Sequence, residues 1–229
     1  MKLAQRALWL AVALALCAAA QPTIGTNGIV NGASFVYLGL PNGNIAQGSM
    51  FSIFGTNLGP AAGVGAGSFP LPTSLGGVTV QIKDKNNATV NAILLYVAAG
   101  QINAILPSTV PAGTASVTVT FNSATSNAQP ITVVSNSFGI FATNQAGSGQ
   151  AAVNNFVSDS SQPQNGATKP AHPGQVVILW GTGLGPVTFD ETNAPGNKGD
   201  MTKSTDAMVY LGGVAIKPEF AGRSPQFAG

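Results

Sequence analysis

Residues 48–60 read GSMFSIFGTNLGP and residues 174–186 read GQVVILWGTGLGP, 126 positions apart. Each copy is a short apolar run closed by Gly-Thr-x-Leu-Gly-Pro. An apolar run of about five residues bounded by glycine has the length of a strand rather than of a helix. The duplication predicts a chain built from two versions of one β-rich unit. The glycine-rich step predicts a turn, at Gly55, Asn57 and Gly59 in the first copy and at Gly181, Gly183 and Gly185 in the second. Asn57 and Gly183 hold the same place, and both residue types tolerate left-handed backbone. A phosphate loop needs Lys-Ser/Thr and a helix after its glycines, and neither copy is followed by that pair.

Outward from the first copy, the pattern stays that of strands. Val78, Val80 and Ile82 alternate with polar residues, as do Val117, Val119 and Phe121, which predicts half-buried strands with those side chains inward. Residues 90–97, 101–106 and 131–134 add further strands, with a turn at 84–87 between two of them. The second copy is flanked by strand candidates at 138–141, 150–154, 207–211 and 214–220, and its own run at 176–180 reads as a buried strand. After residue 20 no apolar stripe of helical period is long enough for a helix. The expected fold is all-β, with two tandem immunoglobulin-like β-sandwiches at 21–136 and 137–229. Residues 90–96 match 214–220 best, at an offset of 124 that agrees with the first match. About 40 further residues of the first unit follow Tyr96, whereas nine residues follow Phe220. The second sandwich is therefore expected to be C-terminally incomplete, with an unpaired edge open to strand-mediated association.

Residues 1–20 predict a secretory signal peptide. Lys2 and Arg6 give a basic start, residues 7–16 are apolar but too short to span a bilayer, and Ala18, Ala19 and Ala20 suit cleavage near Ala20. The large Leu16 before Cys17 argues against a lipid anchor there. Cleavage would leave no cysteine, so a secreted chain would depend on its core rather than on disulfides. It would also leave seven basic residues against seven acidic ones. That balance gives no reason to expect a nucleic-acid or anionic-lipid partner, and no membrane span is expected after signal removal. Charged residues are 7% of the chain, against about 25% in ordinary soluble domains. Gly, Ser, Thr, Asn and Gln take their place, as suits the turns and edges of extracellular β-modules.

Several blocks resemble a known bacterial family. GTNLGP and GTGLGP, LPTSLGGVTV at 71–80, LLYVAAGQINAILP at 94–107, PAGTASVTVT at 111–120, FGIF at 138–141 and GQAAVN at 149–154 are similar to the Solibacter-type uncharacterized C-terminal domain. The resemblance runs from about Asn31 to Gly222. Each unit also resembles the IPT/TIG immunoglobulin-like fold at Gly55, Thr56, Asn57 and Leu58. The resemblance implies an exported acidobacterial protein, often joined to other extracellular β-repeats, and it implies no reaction. The chain departs from the family pattern in lacking a second Gln-x-Asn strand after Phe220 and a large domain before the first unit.

No catalytic group assembles in the sequence. His172 is the one histidine, so a zinc site has too few ligands, and no Gly-x-Ser-x-Gly elbow follows residue 20. Asp190, Glu191 and Asp200, with Asn193 and Asn197, share one loop whose spacing does not fit a calcium loop. Trp180, which stands where Phe54 stands, is expected in the core. Phe189, Asp190, Glu191 and Asn193 form the candidate ligand surface. The expected role is a secreted, non-catalytic structural or adhesive module acting on a protein or polysaccharide, with no cofactor and no metal. The alternatives are a carbohydrate-binding accessory module and a hydrolase with an unrecognised site.

Overall fold

The structure, a computed structural model, describes residues 21–225, and the expected signal peptide lies outside them. The first eleven strands are β1 (Thr23–Asn31), β2 (Ile45–Ala46), β3 (Met50–Thr56), β4 (Val64–Gly65), β5 (Val78–Lys83), β6 (Thr89–Asn91), β7 (Ile93–Val97), β8 (Gln101–Ile105), β9 (Gly113–Phe121), β10 (Ala124–Thr125) and β11 (Gln129–Val134). They form two sheets. One has the order β1-β3-β8-β7-β4, and the other β2-β11-β9-β5-β6 with β10 beside β9.

The alternation in the sequence dictates how the layers meet. Val78, Val80 and Ile82 of β5 and Val117 and Val119 of β9 are fully buried, while the residues between them are not. They face Phe51 and Ile53 of β3 and Ile102 and Ala104 of β8 in one continuous apolar cluster. The result is a sandwich with its core between two sheets. Residues 90–97, read as one strand, divide at Ala92. Val90 pairs with Ile82 in one layer, and Leu94 pairs with Ala104 in the other. Ala92 is fully buried, and its N–H donates to Val80 O at 2.9 Å. Its small side chain lets the backbone cross between the sheets there.

The remaining strands are short: β12 (Gly139–Ile140), β13 (Val153–Asn155), β14 (Val177–Leu179), β15 (Gly181–Thr182), β16 (Val209–Leu211) and β17 (Val214–Ile216). They pair as β12-β15, β13-β14 and β16-β17, with one 3₁₀ turn at Gly196–Gly199. The molecule is all-β throughout the described residues, as the sequence predicts. The buried strand expected at 176–180 differs from that expectation. Val176 and Val177 are exposed and Ile178, Leu179 and Trp180 only half-buried, because among the described residues no second layer is laid over them.

The duplication is nevertheless written into the pairing. In the first copy Ile29, Val30 and Asn31 pair with Ile53, Ser52 and Phe51, and Thr23 and Ile24 with Thr56 and Gly55. In the second, Val153, Asn154 and Asn155 pair with Leu179, Ile178 and Val177, and Gly139 and Ile140 with Thr182 and Gly181. An offset of 126 carries Phe51, Ser52 and Ile53 onto β14 and Gly55 and Thr56 onto β15, and the antiparallel register is the same. The partner strand runs through one bulge between Ile24 and Ile29 in the first copy. A longer excursion, 141–152, takes that place in the second. The hairpin turns correspond as well: Leu211 pairs with Val214 across Gly212 and Gly213 as Leu75 pairs with Val78 across Gly76 and Gly77, with both glycines at positive φ in each.

The second segment is bound along the first. Asn31 Nδ2 donates to Ser137 O at 3.1 Å, Met50 N–H to Thr182 Oγ1 at 2.9 Å and Leu71 N–H to Thr192 O at 2.7 Å.

Candidate functional site

The repeat turns behave as backbone devices. Asn57 has φ of 54° and Gly183 φ of 103°, so both copies turn through the left-handed region at the position where the sequence alternates Asn and Gly. Gly55 and Gly181 hold equivalent ladder positions, Gly59 is buried, and the Gly185 carbonyl accepts from Arg223 Nη2 at 3.4 Å.

The loop carrying the candidate ligand surface is organised by its own side chains. Asp190 Oδ1 accepts from Thr192 N–H at 2.9 Å and from Thr192 Oγ1 at 2.7 Å, and Oδ2 accepts from Asn193 Nδ2 at 2.8 Å. The Thr192 hydroxyl above all holds the exposed Asp190 carboxyl below its ordinary 3.8. Asp200 repeats the device with Thr202, whose N–H donates to Oδ1 at 2.9 Å, and its carboxyl is lowered by the Thr202 bonds in the same way. These are Asx-type turns that fix a loop. Asn193 is exposed and Phe189 half-buried.

Glu191 departs from the expected surface. Its side chain is 8% exposed and pairs with Arg223, itself 7% exposed, at 3.5 Å. The closer partner is Ser108, whose N–H donates to Oε2 at 2.6 Å and whose hydroxyl donates to Oε1 at 2.9 Å. The same hydroxyl accepts Val187 N–H at 2.9 Å. Gly48, the first residue of the first copy, closes the floor with φ of +68°: a Cβ there would collide with Arg223 Nη2 and press on Ser108 Oγ and Glu191 Oε1. The four residues therefore clamp the 186–200 loop and the 221–225 segment onto the first sandwich. Burial pushes the Arg223 guanidinium below its ordinary range, and Glu191 opposes that shift. The sequence held one signal for this cluster: Arg223 is the sole arginine after residue 20 among otherwise lysine cations. Arginine suits a buried pair because its planar fork donates to several acceptors at once.

The other candidates lie apart. His172 is exposed, and its N–H donates to Gln175 Oε1 at 3.0 Å. It borders a shallow depression of about 380 Å³ shared with Asn155, Val157, Lys169 and Gln175. Trp180 is half-buried, and its Nε1–H donates to Asn154 Oδ1 at 2.8 Å. The expected core position of Trp180 is thus corrected: the side chain is only half-buried. Among the described residues no three His, Cys, Asp or Glu side chains stand close enough to hold a metal ion, and no helix is long and apolar enough to cross a membrane.

What the second segment leaves exposed includes large apolar side chains. Val177 is 45% exposed, Tyr210 73%, Leu211 67% and Val214 63%. Met208, Ile216 and Phe220 are exposed as well. No family model matches the chain, and a search of curated proteins returns no match.

Proposed function

We propose that the protein is a secreted, non-catalytic interaction module of the bacterial cell surface or extracellular space, built on tandem immunoglobulin-like units of the IPT/TIG kind. The apolar strands exposed in the second segment carry this reading. Large exposed apolar patches on a folded chain mark surfaces that other molecules cover. Export is supported by the basic, apolar and small-residue order of residues 1–20, and the resemblance to the Solibacter-type domain points the same way. The seven-to-seven charge balance of the remaining chain favours a neutral partner. The mature chain, residues 21–229, is expected to be retained on isolated cell-envelope material and to leave generic ester, glycoside and peptide substrates unchanged. Complete recovery in the flow-through, or turnover of any such substrate, would contradict the proposal. Retention on polysaccharide alone, abolished by Phe189→Ala, would transfer the role to carbohydrate binding.

A further inference from the structure

We propose that the free edge of β14 is a docking site for an extended, uncharged β-strand in antiparallel register, of the type the chain itself carries at Gln101–Ile105. In the first copy β3 lies between β1 and β8. Gly32 N–H donates to Met50 O, which turns Met50, Ser52 and Phe54 toward β1. Leu106 N–H donates to Ser49 O, and Gly55 N–H donates to Gly100 O. Phe51 and Ile53 therefore face β8, where they pair with Ala104 and Ile102.

The second copy has the first half of this arrangement. Phe156 N–H donates to Val176 O and Trp180 N–H to Ala152 O, both at 3.0 Å, so Val176, Ile178 and Trp180 face β13. Strand alternation then turns the peptide groups of Val177 and Leu179 to the other edge. Among the described residues no strand lies there. Val177 and Leu179 are the counterparts of Phe51 and Ile53, and the first copy shows what covers such an edge.

Side chains and charge narrow the occupant. Phe51 and Ile53 are fully buried, whereas Val177 is 45% exposed. Val78, after the Gly76-Gly77 turn, is fully buried, whereas its counterpart Val214, after the Gly212-Gly213 turn, is 63% exposed. A strand filling the gap must present small or medium apolar side chains at alternate positions, as Ile102 and Ala104 do. Residues 174–189 contain no charged side chain, so an ionised partner would lose hydration without finding a counter-charge. Amides between the apolar positions, as at Gln101 and Asn103, meet both requirements.

A fluorescent peptide of residues 100–106, GQINAIL, titrated into the chain 21–229 tests the site. In the predicted register the peptide groups of its Ile102 and Ala104 face β14 and that of Asn103 faces away. N-methylation at Ile102 or at Ala104 is expected to weaken binding about tenfold or more, and at Asn103 by no more than about twofold. Val177→Lys should weaken it too while leaving the circular dichroism of the first sandwich unchanged. No binding by the folded chain, or equal effects of all three methylations, would overturn the docking site. So would a chain that buries this edge by dimerising and excludes the peptide. The inference gives the interaction module a partner, and the two are separable. Envelope retention without peptide binding removes only the docking site, and peptide binding without retention removes only the surface role.

Discussion

Phe51→Ala is expected to destabilise the protein by about 3–5 kcal/mol, the range for truncating a large, fully buried aromatic side chain. Phe51 is 0% exposed at the centre of β3, between the two sheets. Its neighbours across the ladders, Asn31 and Ala104, are themselves buried and belong to different strands. They have little freedom to collapse into the space left behind. Trp180→Ala, in the equivalent repeat, is expected to cost less, because the ring is only half-buried whereas Phe51 is fully enclosed. Urea unfolding followed by circular dichroism measures both. Equal losses would mean that the second copy has a closed core around Trp180.

The next largest effect is expected at Glu191. Replacing it by Gln leaves the Arg223 cation buried without its carboxylate, and breaking one side of a buried pair costs about 3–5 kcal/mol. The 3.5 Å separation and the shorter bonds to Ser108 place the expected loss near the lower end. Burial outweighs attraction in the shift of the Arg223 guanidinium. The pair therefore fixes the loop more than it adds stability over an apolar pair of the same size. Adding Arg223→Met to Glu191→Gln should thus recover part of the loss. A double-mutant cycle in urea reads this as a coupling energy. A single-variant loss within about 0.5 kcal/mol, as at an exposed loop residue, would show that the clamp does not hold the loop in solution.

Local periodicity made the first sandwich legible. β5 and β9 alternate so regularly that their inward residues can be named from sequence, and Gly-Thr-x-Leu-Gly-Pro marks the end of the repeated strand in both copies. The interchange of Asn57 and Gly183 announced the left-handed turn found at each. Burial in the second copy was not legible, because VVILW reads the same whether or not a layer covers it. Whether Val177 is buried depends on strands far away in the chain, and no window of five residues contains that information. The clamp was hidden for the same reason. Ser108 and Glu191 are 83 positions apart, and Glu191 and Arg223 are 32 apart. The carboxylates of 190–200 share one loop in sequence, yet neighbouring residues point oppositely: Asp190 caps its own turn while Glu191 reaches inward.

Among the described residues β14 repeats β3 with one side of its ladder left open. Amide hydrogen exchange, resolved by NMR along residues 176–182 and 50–56, tests it most directly. In β14 the N–H groups of Ile178 and Trp180 should be protected, and those of Val177 and Leu179 should exchange at rates near those of exposed loops, whereas the interior amides of β3 should be protected on both sides. Protection of Val177 and Leu179 equal to that of their neighbours would contradict an open edge. Fast exchange at Ile178 and Trp180 would contradict the repeated ladder itself.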